Sequence, residues 1–371
     1  MNVVILKEVK SGEARVAIVP GVIAKLKNLN LKVKVQKGAG EKSFFSDAEY
    51  AQAGAELSDS HASLLENADV VLKVQPPEKN ELDALQPGTL LIGLLNPYGN
   101  PELVKSLAKK KITAFALEFI PRISRAQSMD VLSSQAAIAG YKAVLLAAMH
   151  LGKYFPMLTT AAGTMKPARV LIVGAGVAGL QAIATARRLG AIVEAYDVRS
   201  QVKEEIQSLG AKFVDVTLDE DTATQGGYAK EVSSASKEKI KNILKEHVKN
   251  ADVVITTAQV PGKKAPRIVT EEMISQMSAG SVIVDLAAEQ GGNCDFTKAG
   301  ETVVHKGVSI LGPVNLPATI PVHASQMYAR NVVTLLQSII KEGTPCFNFN
   351  DEVLNACCIT HEGKIRVEEL K

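Results

Sequence analysis

An apolar run, Arg169-Val-Leu-Ile-Val-Gly174, leads without a break into Ala-Gly176-Val-Ala-Gly179 and a stretch with helical spacing, and Asp197 closes the next apolar run 23 residues after Gly174. Gly174 permits a tight turn, Gly176 lets a pyrophosphate approach backbone N–H groups, and Gly179 lets helix and strand touch. The helix N-terminus behind the turn favours an anion. A carboxylate at 197 can accept both hydroxyls of an adenosine ribose and would repel a 2′-phosphate. The pattern predicts a dinucleotide-binding domain that takes NAD(H) rather than NADP(H), with Arg199 slightly weakening the exclusion of NADP(H). The alternative is a purely structural strand–helix turn with Asp197 as a helix N-cap.

Short β-branched runs alternate with helical segments on both sides of this motif. Upstream are NVVILK at 2–7, KVKVQ at 32–36, DVVLKV at 69–74, TLLIGL at 89–94 and ITAFAL at 112–117, with helical spacing in GVIAKLKNL and NPELVKSLAKK. Downstream follow IVEAYD at 192–197, AKFVDV at 211–216, DVVITT at 252–257, SVIVDL at 281–286 and VSILG at 308–312. The fold class is therefore α/β, with two doubly wound (Rossmann-like) parallel-sheet domains separated by a cleft and joined by long helices at about 134–151 and 323–341. Residues 1–132 with 323–371 form a first domain lacking a glycine fingerprint, and 133–322 form the NAD(H)-binding domain. The segment 342–371 has no core of its own and is expected to pack back on the first domain. In KEKIKNILKEHVK, at 237–249, Ile240, Ile243, Leu244 and Val248 share one side, so its lysines form a solvated face.

Composition supports this reading and narrows the partners. With 46% hydrophobic residues but only 4% aromatic and no Trp, the 371-residue chain suits the Val/Ile/Leu/Ala interior of parallel sheets. A net charge of +3, without a basic run interleaved with aromatics, predicts no nucleic-acid partner. The four cysteines show no C-x-x-C spacing and the six histidines no H-E-x-x-H, so no metal site is expected. Cys357 and Cys358 could form a vicinal disulfide, but reduced thiols are expected of an intracellular protein. The N-terminus enters a strand directly, without signal-peptide features, and the longest uninterrupted apolar stretch runs only from Ala143 to Met149. A soluble, cytoplasmic chain is expected.

Two polar segments interrupt the pattern. RISRAQSMDVLS, at 122–133, gathers Arg122, Arg125, Gln127, Asp130 and Ser133 where the first domain hands over to the second, and is expected to reach the cleft near the nicotinamide. Against that stand Asp130 as a helix N-cap and Arg122 or Arg125 as a surface ion pair. TLDEDTATQGGYAKEVSSAS, at 217–236, has no apolar period and carries Tyr228 behind Gly226-Gly227. It reads as a lid, or as a disordered insertion in which Tyr228 does nothing.

Taken together and in order, RISRAQSMDVLSSQAAIAGYKAV, LTTAAGTMKPARVLIVGAGVAGLQAIATARRLGAIVEAYDVR and GGYAKE resemble the NAD(H)-binding component of proton-translocating NAD(P) transhydrogenases, a similarity running from KEVKSGEARVAIVP to about residue 345. The resemblance implies direct hydride transfer from NADH to NADP⁺ held by a separate component, with no general base. Arg122, Gln127, Asp130, Ser133 and Tyr228 would form the catalytic set. Arg122 would steady the carboxamide or pyrophosphate region, Gln127 would hold a ribose hydroxyl or bridge to the partner nucleotide, and Asp130 and Ser133 would fix the loop. The cofactor-binding set is Gly174, Ala175, Gly176, Val177, Gly179, Asp197, Val198, Arg199, Gly227 and Ala258. The implied partners are an NADP(H)-binding component, a membrane-spanning proton-channel component and a second copy of the chain. This would place the chain peripherally on the inner face of the cytoplasmic membrane.

The same plan resembles alanine dehydrogenase, in KEVKSGEARVAIVP and VPGKKAPRIV. That family needs a lysine and a histidine, where this chain has Gln75 and Asn96, and the aspartate expected after a later strand is Glu289. Arg15 and Lys73 remain. A catalytically silent NAD-sensing module is a third reading, opposed by retention of the polar loop.

Overall fold

The computed structural model describes residues 1–216, 233–260 and 262–371. The chain divides into two compact units, Met1–Gln135 with Pro317–Lys371, and Ala136–Leu316. In chain order the first unit supplies β1 (Asn2–Ile5), β2 (Lys32–Gln36), β3 (Glu56–Ser58), β4 (Val70–Leu72), β5 (Leu90–Gly93) and β6 (Thr113–Ala116). The second supplies β7 (Leu158–Thr160), β8 (Gly163–Met165), β9 (Arg169–Val173), β10 (Ile192–Tyr196), β11 (Lys212–Phe213), β12 (Val253–Thr256), β13 (Val282–Asp285), β14 (Thr302–His305) and β15 (Val308–Leu311). The chain then returns to the first unit with β16 (Ile340–Lys341), β17 (Thr344–Pro345), β18 (Cys358–His361) and β19 (Lys364–Ile365).

The first unit's sheet runs β19-β18-β6-β5-β4-β1-β2-β3. Its six strands from β1 to β6 are parallel, and β18 adds antiparallel to β6. Both faces are covered, which is why the strands read as continuous apolar runs. Val3 and Ile5 enter the core on one side, Val4 and Leu6 that on the other. The helix Pro101–Lys109 begins where Asn100 accepts the Leu103 N–H and Pro101 occupies the first turn. It buries Leu103, Val104, Leu107 and Ala108 at helical spacing.

The second unit repeats the plan as β11-β10-β9-β12-β13-β15-β14, parallel except for β14. Val170 and Ile172 face one core, Leu171 and Val173 the other. In the helix Ser234–Lys249, Leu244 and Val248 are fully buried and Ile240 and Ile243 pack at the edge, while Lys245 reaches Glu272. The strand expected over 211–216 shortens to Lys212–Phe213, because β11 is an edge strand whose last ladder bond is Val214 N to the Ala195 carbonyl and Asp215 turns outward to Lys203.

The helix Val131–His150 corrects one expectation. Counted as a helix rather than as an unbroken apolar stretch, it is long and apolar enough to cross a membrane by length and composition. Its buried face, with Ala143, Val144 and Ala147, belongs to the second unit's core. Tyr141 and Met149 on its other side are exposed, as are Met157, Leu158 and Met165 on and beside the β7–β8 hairpin.

Candidate dinucleotide site

At the end of β9 the backbone of Gly174 takes φ +98°, and its carbonyl accepts a hydrogen bond from the Thr257 hydroxyl at 2.9 Å. A Cβ at Gly179 would stand 1.9 Å from that carbonyl oxygen, so helix and strand meet only because the residue has none. Gly176 differs: a Cβ there would meet nothing within 4 Å. It is the N-cap of the helix Val177–Arg188, which has no side-chain cap, and Val177 is partly exposed in the first turn. Open space above uncapped helical N–H groups suits a pyrophosphate.

Asp197 is only 8% exposed, and both its oxygens are engaged. Oδ2 accepts from Ala175 N at 2.7 Å and from Arg199 Nη2 at 2.8 Å; Oδ1 accepts from Arg199 N at 2.9 Å and Arg199 Nε at 2.8 Å. The hydrogen bonds from Arg199 to Asp197 raise the guanidinium pKa further. This modifies the expectation for position 197, since a carboxylate offers about four acceptor sites and four donors already use them. Ribose hydroxyls would take over from Arg199 donors rather than fill vacant lone pairs. Arg199, expected from the sequence to weaken the exclusion of NADP(H), turns its charge onto Asp197 instead. Val198 lies between them, half-buried. Ala258, after β12, is paired through its backbone to Asn293, a residue that sequence reasoning missed although Gly291-Gly292-Asn293 following a strand was a visible signal.

In the first unit, Ser124–Met129 forms a 3-10 turn anchored by fully buried Ala126. Arg122 and Gln127 are exposed. Asp130 accepts from Ser133 N at 2.9 Å through Oδ1 and from the Ser133 hydroxyl through Oδ2. It therefore caps Val131–His150, whose start three residues before the expected one follows from this cap. Arg125 forms a two-pronged ion pair with Asp351, at 2.8 and 3.2 Å, in line with the surface-pair alternative. Gly227 and Tyr228 lie outside the described residues; of the expected lid segment, Ser234 onward opens a helix capped by Ser233. Among the described residues no group of three His, Cys, Asp or Glu side chains could hold a metal ion.

Residues 4–139 match the alanine dehydrogenase/PNT N-terminal domain and residues 143–368 the corresponding C-terminal domain. The chain belongs to the alanine dehydrogenase/PNT family. The first of the separately encoded portions of the NAD(P) transhydrogenase alpha subunit of Rickettsia prowazekii is 45% identical over 98% of this chain and 96% of its own length. A transhydrogenase from Sinorhizobium meliloti, known as a crystal structure, superposes with TM-score 0.89 at 44% identity, covering 98% of this chain and 100% of that one. An L-alanine dehydrogenase superposes with TM-score 0.82 at 26% identity, covering 100% and 98%.

Most of the positions that set this chain against alanine dehydrogenase lie in the first unit. Arg15 is buried, with Nε and Nη2 on the Glu13 carboxylate at 2.9 and 2.7 Å and Nη1 on Gln135 Oε1 at 2.9 Å. Gln75 donates to Glu13 Oε2 at 2.7 Å and accepts from Lys10 Nζ at 3.1 Å. Burial alone would raise the Glu13 carboxyl, but hydrogen bonds and charge from Arg15, with Gln75, hold it down at about 2. Lys73, 1% exposed, is bracketed by Glu81 at 2.8 Å and Glu8 at 3.5 Å. Asn96 adopts φ +48°, and its N–H donates to Glu118. In the second unit, Glu289 accepts from Asn315 N.

The glycine turn, the uncapped helix and the Asp197–Arg199 pair fit NAD(H): space for the pyrophosphate at Gly176, helical N–H groups beneath it, and a buried carboxylate where the next strand ends.

Proposed function

We propose that this chain is the NAD(H)-binding component of a proton-translocating NAD(P) transhydrogenase. Bound NADH supplies the hydride, which passes directly to NADP⁺ carried by a separate component. The chain's own residues bind and orient. Gly174, Gly176 and Gly179 with Ala175 and Val177 receive the pyrophosphate, while Asp197, Val198 and Arg199 receive the adenosine ribose. Ala258 and Gly227 line the remainder. Arg122, Gln127, Asp130 and Ser133 serve the nicotinamide end, with Asp130 and Ser133 holding the loop that presents Arg122 and Gln127, and Tyr228 closing over it. No proton changes hands in direct transfer, so the chain needs position rather than a base.

The observation that carries this reading over alanine dehydrogenase is the Arg15–Glu13–Gln75 network. Gln75 stands where the rival needs a lysine, and its amide is spent on Glu13 and Lys10. A keto acid would find a neutral amide there in place of a cation and proton donor. The partners are an NADP(H)-binding component and a membrane-spanning proton-channel component, which would hold the chain at the inner face of the cytoplasmic membrane. A homodimer is supported by the exposed apolar side chains Tyr141, Met149, Met157, Leu158 and Met165. The discriminating experiment mixes the chain with NADH, pyruvate and ammonium while reduced-nicotinamide absorbance is followed. A flat trace is expected, with NADH binding seen separately by titration; turnover would overturn the reading in favour of alanine dehydrogenase.

A further inference from the structure

The loop leaving β12 begins at Thr257 and Ala258 and rejoins the fold at Ile268 and Val269, and both ends hang on one residue. Asn293 Oδ1 accepts from Ala258 N at 3.0 Å, while Nδ2 donates to the Ala258 carbonyl at 2.8 Å and the Pro266 carbonyl at 2.9 Å. The Asn293 carbonyl accepts from Ile268 N at 2.8 Å and Val269 N at 3.0 Å. The reciprocal pairing with Ala258 fixes the amide's orientation: reversed, its NH₂ would face an N–H and its oxygen two carbonyls.

Asn293 is fully buried and is itself gripped from behind. Asp285, also fully buried, accepts from Asn293 N at 2.7 Å, Cys294 N at 3.1 Å and the Thr297 hydroxyl at 2.7 Å through Oδ2, and from Ala287 N at 3.0 Å through Oδ1. Gly292 takes φ +80°, and a Cβ there would lie 2.8 Å from Asp285 Oδ2. A buried carboxylate satisfied by four donors is a rigid anchor rather than a solvated charge.

We propose that Asn293 is a positioning residue for the dinucleotide, setting the Ala258 backbone that receives the nicotinamide nucleotide. The proposal rests on the NAD(H) reading above and deepens it. Strand order supplies the argument. β10, ending at Asp197, lies on one side of β9, and β12, leading to Ala258, lies on the other. In a doubly wound sheet a dinucleotide spans the crevice between the two halves, one nucleotide to each. Asp197 therefore serves the adenosine nucleotide and Ala258 the other. Thr257, one residue earlier, holds the Gly174 carbonyl, so the same clamp keeps the β12 loop in register with the glycine turn. Aspartate at 293 would set a carboxylate against two carbonyls, and glutamine would overreach by a methylene.

The test titrates the full chain carrying Asn293→Ala, and in parallel the milder Asn293→Ser, with NADH and with 5′-AMP, which carries only the adenosine half. The NADH dissociation constant is expected to rise about tenfold or more, while that for AMP stays within about twofold. Equal losses for both ligands would mean that Asn293 merely holds the unit together, and unchanged NADH binding would mean that it does not act on the site; either result overturns the proposal. Should the alanine variant fail to fold by circular dichroism, the serine variant decides. A wild-type chain that binds neither ligand would instead remove the NAD(H) reading itself.

Discussion

Four N–H groups converge on the Asp197 carboxylate, and three of them belong to Arg199. At the scale of single residues this makes discrimination between NADH and NADPH a property of the pair. Asp197→Asn loses charge-assisted bonds and also releases the guanidinium from its partner. It should weaken NADH binding by roughly 1–3 kcal/mol and narrow the gap to NADPH, measured by titrating both nucleotides. Equal wild-type affinity for the two would remove the argument. Gln127→Asn keeps the amide but shortens its reach. Because misplacement by about an ångström can cost about 100-fold in rate, hydride transfer in a reconstituted complex should slow far more than NADH binding weakens; an unaltered rate would return Gln127 to the role of a surface residue. Gly174, Gly176, Gly179 and Asp197 were legible in the sequence because each requirement is local. The Arg199 pairing and the Asn293 clamp were not, because hydrogen-bond partners 35 residues apart, such as Ala258 and Asn293, leave no periodic trace.

Elements carry a different chemistry in the first unit, where Glu8 beyond β1, Lys73 beyond β4 and Glu81 in the helix Lys79–Ala84 meet in a buried cluster. The Tyr328 hydroxyl, from the helix Pro321–Ile339, donates to the Lys73 carbonyl at 2.6 Å and fixes its place. Burial pushes the Glu8 carboxyl from its ordinary 4.5 up to about 7, against the opposing pull of Lys73 and the Val74 N–H. The folded chain thus keeps a proton between pH 4.5 and 7 that the unfolded chain has released. Its stabilisation is full below 4.5 and is lost as pH rises through 7. Glu13, held at about 2, acts in the opposite direction: its contribution is full above 4.5 and is lost as pH falls through 2. Glu8→Gln should remove a decline on the order of 2 kcal/mol between pH 5 and 8, read from urea unfolding at the two pH values; parallel profiles for wild type and variant would contradict the assignment. The parallel strands of both sheets were visible in the sequence as apolar runs because both sheet faces are covered. β14, β18 and the β7–β8 hairpin were not, since edge and surface strands mix exposed with buried positions: Val304 in β14 is 66% exposed.

At the scale of the whole molecule, two units built on largely parallel sheets serve different ends. One glycine fingerprint is present in the sequence, in the second unit, and its carboxylate disfavours a 2′-phosphate. A second nucleotide must then come with another protein, positioned so that the two nicotinamide C4 atoms approach to about 3–3.5 Å. The decisive measurement mixes the purified chain with NADH and an oxidised NADP analogue, with and without the soluble NADP-binding component of a transhydrogenase, and follows hydride transfer by absorbance. Rapid transfer only when that component is present is the predicted result; equally rapid transfer by this chain alone would contradict its assignment as one component of a complex.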